Sequence, residues 1–99
     1  MRLNPVGHRR LVQADAFEVT YAGSEVNAIV TCANCGLETS FVTKFPDNEI
    51  GRAAAGELRR WNVGTEHVLM DGPRMGLYYL ETGASQRDSK VVYDRAGSA

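Results

Sequence analysis

An α/β fold is what this sequence predicts, and three observations carry the expectation. Phe17, Val19 and Tyr21 alternate with Glu18 and Thr20, the period-two pattern of a strand with one buried and one wet face. Two later stretches, after Ser24 and after Asn48, hold apolar residues at the three-and-four spacing of a helix. The C-terminal stretch holds β-branched and aromatic runs separated by turn residues, which reads as consecutive strands.

Each element follows in order. Met1 to Arg10 shows no periodicity, and Asn4-Pro5 with Gly7 reads as turn or loop at the start of something longer. After the first strand, Ala22-Gly23 turns the chain and Ser24 is placed to cap a helix carrying Val26, Ile29, Val30 and Ala33 at helical spacing. Ala28, Cys32 and Cys35 widen that apolar surface and leave Asn27, Thr31 and Asn34 as its polar stripe, so this helix is expected to be buried. Gly36 suits a left-handed cap that ends it. Thr39 to Phe45 reads as a strand, and Pro46-Asp47-Asn48 as a turn from which Asn48 or Asp47 caps a second helix. Ile50, Ala54, Leu58 and Trp61 share one face of that helix, Arg52, Glu57, Arg59 and Arg60 occupy the rest, and Asn62 and Gly64 stop it. His67 to Met70 is a short strand and Asp71-Gly72-Pro73 a turn. Met75 to Glu81 and Lys90 to Arg95 are two further strands joined by the polar segment Gly83 to Ser89. The order joins a crossover unit to a run of paired strands, an α/β layer carrying a small sheet on one edge.

Composition narrows the function. Ninety-nine residues, 43% hydrophobic and 23% charged, make at most one domain and give no support to disorder. A formal charge of −1 offers no basic field to a phosphate backbone, so nucleic acid is not an expected partner. Neither a bilayer-spanning apolar run nor the hydrophobic segment of a signal peptide is found, so no membrane role is expected and the protein is placed in the cytoplasm. Two cysteines without a secretory signal agree with a reducing compartment.

Cys32 and Cys35 have the spacing that begins many zinc and disulfide-exchange motifs. A second ligand pair is missing, since His8 and His67 are far apart, and on a mostly apolar helix the reading adopted is packing. No metal ligand is assigned. Gly23 is more specific: a glycine ahead of a helix lets a ligand approach backbone N–H groups, and Asn27 one turn on both donates and accepts. On spacing alone, Asn27 reads equally well as a solvated polar residue. Tyr93 and Arg95 are two residues apart and share a strand face. A guanidinium binds a carboxylate through two parallel charge-assisted hydrogen bonds, while a tyrosine such as Tyr78 or Tyr93 supplies a flat wall and a hydroxyl. For an isolated strand, surface charge and sheet filling are the commoner reading. Asp94 points to the opposite face.

Taken together, Ala22-Gly23-Ser24-Glu25-Val26-Asn27, Gly76-Leu77-Tyr78-Tyr79-Leu80-Glu81 and Lys90-Val91-Val92-Tyr93-Asp94-Arg95 resemble the N-terminal part of carbohydrate kinases of the ribokinase (PfkB) family, nearest to its 2-keto-3-deoxygluconate kinases. The resemblance runs from Arg2 to Ala99. It implies a ribokinase-like three-layer α/β/α fold with a small β-sheet lid, of which residues 1–99 are a partial domain whose opening strand is truncated before Met1. It also implies that Gly23 and Asn27 lie against the sugar, and that Tyr78, Tyr93 and Arg95 face it from the lid with the arginine near its carboxylate. The substrate would be a small sugar acid gripped between the glycine turn and Arg95.

The family's late Gly-Ala-Gly-Asp type motif, which carries its aspartate base and anion hole, is not matched here, and no phosphate loop is present. ATP and Mg²⁺ are therefore expected in a full-length parent and neither is expected on this fragment alone, whose catalytic residues are none. Homo-oligomers through the lid sheet are implied as well. Two alternatives stand beside this: a kinase of the same family for fructose or ribose, and a small β-sheet binding module without catalysis.

Overall fold

The computed structural model describes residues 1–83 and 88–99 and divides the chain into two compact units. One unit comprises Met1–Thr20 and Gly76–Ala96, the other Tyr21–Met75 and Gly97–Ala99. The expected connection from Gly83 to Ser89 includes residues 84–87, which lie outside the described residues.

The first unit is a four-stranded sheet. Its strands are β1 (Arg2–Pro5), β2 (Phe17–Thr20), β5 (Leu77–Glu81) and β6 (Lys90–Asp94), in the order β2-β1-β5-β6. β1 runs antiparallel to β2 and parallel to β5, and β5 runs antiparallel to β6. The sequence reading of Met1 to Arg10 as loop is corrected: Arg2–Pro5 is a central strand. Its closing Pro5 stands at the strand's end, where a missing N–H is tolerated, and the residue is buried. The Leu3 and Val19 side of the sheet gathers Phe17 and Tyr79, whose rings meet edge to face at 5.6 Å. A short 3-10 turn at Leu11–Gln13 is tied to this sheet, because the Leu11 N–H donates to Glu81 Oε1 at 2.8 Å. Glu81 is only 3% exposed, which no local pattern announced.

The second unit is a β-α-β arrangement preceded by a helix: α1 (Ser24–Asn34), β3 (Thr43–Phe45), α2 (Glu49–Arg60) and β4 (Val68–Met70), with β3 and β4 parallel. The strand expected over Thr39 to Phe45 is shorter than its β-branched run, with Ser40 reaching Gly64 through a single bridge. α2 begins as expected, the Asn48 side chain accepting the Gly51 N–H at 3.0 Å. Both helices end in the same way. Gly36 (φ 85°) and Asn62 (φ 61°) take the left-handed conformation, and the following N–H groups of Leu37 and Val63 reach back to the carbonyls of Cys32 and Leu58.

Burial in this unit centres on Ala54, Ala55 and Leu58 of α2 with Val63 and Pro46. The predicted α2 face is therefore rotated: Gly51 and Ala55 join it, while Ile50 and Trp61 sit at its margins, 43% and 42% exposed. Gly51 is what lets the helix approach, since a Cβ there would run into the Pro46 carbonyl.

Two expectations for α1 are corrected. Ser24 is its first residue and Gly23 its cap, so the Ser24 hydroxyl donates to Glu25 Oε2 at 3.3 Å and not to a helix N–H. No residue of α1 is buried, and Cys32 and Cys35 are free and exposed. An apolar circumference expresses demand for a covering layer, and the described residues do not supply one.

Candidate substrate-binding face

Tyr78 and Tyr93 are brought together by the register of β5 and β6. They are direct partners across an antiparallel pair, and their rings stand 6.0 Å apart with a tilt of 41°. Opposed residues of neighbouring strands project to one face, so the two rings form a continuous aromatic surface. Arg95 falls one residue beyond the end of β6. It still follows the two-residue alternation, and its guanidinium carbon lies 4.4 Å from the centre of the Tyr93 ring. This stacking holds an exposed cation in place over a ring that is itself 61% exposed. Among the described residues Arg95 has no carboxylate partner. The result is an oriented, unpaired guanidinium beside an open aromatic wall, suited to a planar anion such as a carboxylate.

The rung continues into the strand that sequence reading missed. Arg2 is paired with Tyr78 on one side and with Thr20 on the other. Two residues further along β1, the Asn4 amide donates to the Leu80 carbonyl at 3.1 Å and ties β1 to β5. A four-residue strand opening with a single arginine has too little alternation to be recognised without its partners.

Gly23 and Asn27 belong to the other unit, where they meet at the first turn of α1 through the Asn27 N–H bond to the Gly23 carbonyl at 2.9 Å. Gly23 is extended (φ 171°, ψ 157°), a conformation open to any residue, and a Cβ there would meet only Glu25 Oε2 at 3.9 Å. Its value is therefore open space above the helix N–H groups, not a strained turn. The Asn27 side chain is exposed and has no hydrogen-bond partner among the described residues. Two residues before Gly23, burial first and the charge of Glu57 second push the Tyr21 phenol above its ordinary pKa.

Among the described residues, no group of three or more His, Cys, Asp or Glu is placed to hold a metal ion, and no helix is long and apolar enough to cross a membrane.

The chain carries a β-sheet face bearing tyrosines and arginine in one unit and a β-α-β arrangement preceded by a glycine-opened helix in the other, and comparison assigns it to a class. Residues 1–99 match the family described as pfkB family carbohydrate kinase, and the chain belongs to that family. It is 35% identical over its whole length to a 2-dehydro-3-deoxygalactonokinase of Haloferax volcanii, of which it spans 31%. Superposition on the crystal structure of 2-dehydro-3-deoxygluconokinase from Thermotoga maritima gives a TM-score of 0.95 with 54% identity, covering 99% of this chain and 30% of that one. A PfkB family carbohydrate kinase from Listeria grayi matches with a TM-score of 0.94 and 37% identity, covering 99% of this chain and 31% of its own. The fold is thus that of the PfkB kinases, as the sequence resemblance implied, and the chain spans less than a third of the relatives it matches.

Proposed function

We propose that residues 1–99 are the substrate-binding and lid part of an ATP-dependent sugar kinase whose acceptor is 2-keto-3-deoxygluconate. The observation that carries this reading is the Arg95 guanidinium stacked on Tyr93 with no carboxylate ion-paired to it among the described residues. A neutral sugar has no use for that charge, whereas a 2-keto sugar acid presents a carboxylate to it and hydroxyls to Tyr78 and Tyr93. In this reading Gly23 and Asn27 bind sugar hydroxyls at the start of α1. The names of the two relatives, one for a galactonate and one for a gluconate derivative, share the acid and support the class more than the epimer.

The reaction would transfer the γ-phosphoryl of ATP to a substrate hydroxyl. The hydroxyl oxygen bonds to phosphorus, the bond to the bridging oxygen breaks, ADP leaves, and a carboxylate base takes the proton. Mg²⁺ would neutralise charge on the phosphates. The sequence carries no phosphate loop, and among the described residues no group of three or more His, Cys, Asp or Glu is placed to hold a metal ion. In this reading these residues bind, orient and exclude water, and the base, nucleotide and metal sites are assigned to other parts of the enzyme. The apolar, uncovered α1 suits such a division, since its covering layer would come from those parts. The sheet face opposite the tyrosine pair, with Val19 and Val92 half exposed, is where subunits of the enzyme would pair, and the enzyme is placed in the cytoplasm.

The test is a substrate panel with the protein encoded by the complete reading frame that contains Met1–Ala99, supplied with ATP and Mg²⁺. Phosphorylation of 2-keto-3-deoxygluconate well above ribose and fructose is expected. Equal use of acid and neutral sugars would remove the role of Arg95, and ATP-dependent phosphorylation by the 99-residue chain alone would contradict the division of labour.

A further inference from the structure

Arg2 stands in the same rung as the two tyrosines. Its Cα is partnered by Thr20 on β2 and by Tyr78 on β5, and Tyr78 is partnered by Tyr93 on β6. One line across all four strands therefore reads Thr20, Arg2, Tyr78, Tyr93, and residues in register project to a common face. Arg2 Nε is buried without a hydrogen-bond partner among the described residues, and no described carboxylate forms an ion pair with this guanidinium. Burying part of a cation against a sheet is unfavourable unless some anion or acceptor completes it. Arg2 thus brings to the face that carries Tyr78 and Tyr93 a guanidinium whose Nε is unsatisfied and which has no ion-pair partner among the described residues.

We propose, on the basis of the functional reading above, that Arg2 is a second substrate-binding guanidinium, which donates through its terminal N–H groups to oxygens of the sugar acid. The tyrosine pair lies between the two cations. Arg2 and Tyr93 are separated by two inter-strand steps, about 10 Å between backbones, a distance that an arginine side chain is long enough to span in part. A chain of several carbons bearing a carboxylate and neighbouring carbonyl or hydroxyl oxygens fits between two such donors, and each arginine then has an acceptor that the protein does not provide. Arg2 is accordingly a determinant of acid over neutral substrates, acting with Arg95 and not in its place.

The competing explanation is that the aliphatic stem of Arg2 merely covers apolar sheet surface. Arg2→Met keeps the stem and removes the fork, so it separates the two. In the protein from the complete reading frame, Arg2→Met is expected to raise KM for 2-keto-3-deoxygluconate about ten-fold or more, the loss of a charge-assisted hydrogen bond. KM for ATP and the unfolding temperature should stay at wild-type values. An unchanged KM for the acid in a folded Arg2→Met protein overturns the proposal. Should that variant not fold, Arg2→Gln, which keeps length and polarity without charge, is read by the same criterion. If the wild-type enzyme phosphorylates no sugar acid, the functional reading itself fails. If it does, and Arg2→Met equals it, only the role of Arg2 is lost.

Discussion

The guanidinium of Arg95 lies over the ring of Tyr93 at 4.4 Å, and Tyr93 is the direct cross-strand partner of Tyr78. Stacking of this kind at an exposed site contributes about 0.5–1 kcal/mol, too little to matter for stability but enough to restrict where the cation points. A pre-oriented donor loses less entropy when it meets an anion.

The stacking makes a measurable prediction for binding. Arg95→Met should weaken binding of the sugar acid by about 1.5–3 kcal/mol, roughly 10- to 150-fold, whereas Tyr93→Leu should weaken it less and largely through Arg95. In a double-mutant cycle read by KM, the two substitutions should be less than additive. Full additivity would mean that Tyr93 does not position the guanidinium.

Two glycines of α2 predict opposite signs. Gly51→Ala places a methyl group against the Pro46 carbonyl and should destabilise by about 1–3 kcal/mol. Gly56 has nothing within 4 Å of its notional Cβ, so Gly56→Ala should stabilise by up to about 1 kcal/mol through helix propensity. Urea midpoints of the two variants shifting in the same direction would contradict the packing described for this helix.

Much of this was legible beforehand where the determinants are local. The cap at Asn48, the left-handed exit at Gly36 and the helix stop at Asn62 depend on a few adjacent residues, and a short polar or glycine side chain advertises them. The Tyr93 and Arg95 pairing was legible for the same reason, since two-residue spacing on a strand fixes a shared face. What escaped was non-local. β1 is held in the sheet by β5, more than seventy residues away, and a four-residue strand ending in proline carries no period of its own. The position of Arg2 beside Tyr78 follows only from that pairing. Burial of α1 was expected from composition and is not found, because composition names a preference and cannot name the layer that satisfies it.

Glu81 is the least obvious buried group. One oxygen accepts the Leu11 N–H and the other has no partner among the described residues. Glu81→Ala should cost about 1–3 kcal/mol by stranding that N–H, and hydrogen exchange at Leu11 should quicken while the β3–β4 pair is unaffected. Unchanged protection of Leu11 would show that the 3-10 turn holds itself.

Tyr21 predicts an alkaline effect. Its folded pKa lies above the ordinary value near 10, through burial first and Glu57 second. Its neutral form is favoured in the fold, so the stabilisation is complete below pH 10 and is lost as pH rises from there through the raised value. Phenolate absorbance, taken as the difference from Tyr21→Phe, should show this late titration, and Glu57→Gln should move its midpoint down. A midpoint that stays put would leave burial as the sole cause.

The central claim is that a sugar acid is recognised through its carboxylate on the face of Tyr78, Tyr93 and Arg95. Calorimetric titration of the full-length enzyme with 2-keto-3-deoxygluconate and with the same sugar bearing an alcohol in place of the carboxylate tests it directly. The account predicts that the acid binds at least about ten-fold more tightly and that Arg95→Met removes most of this preference. Equal affinities for the two ligands, or a preference that survives Arg95→Met, would contradict it.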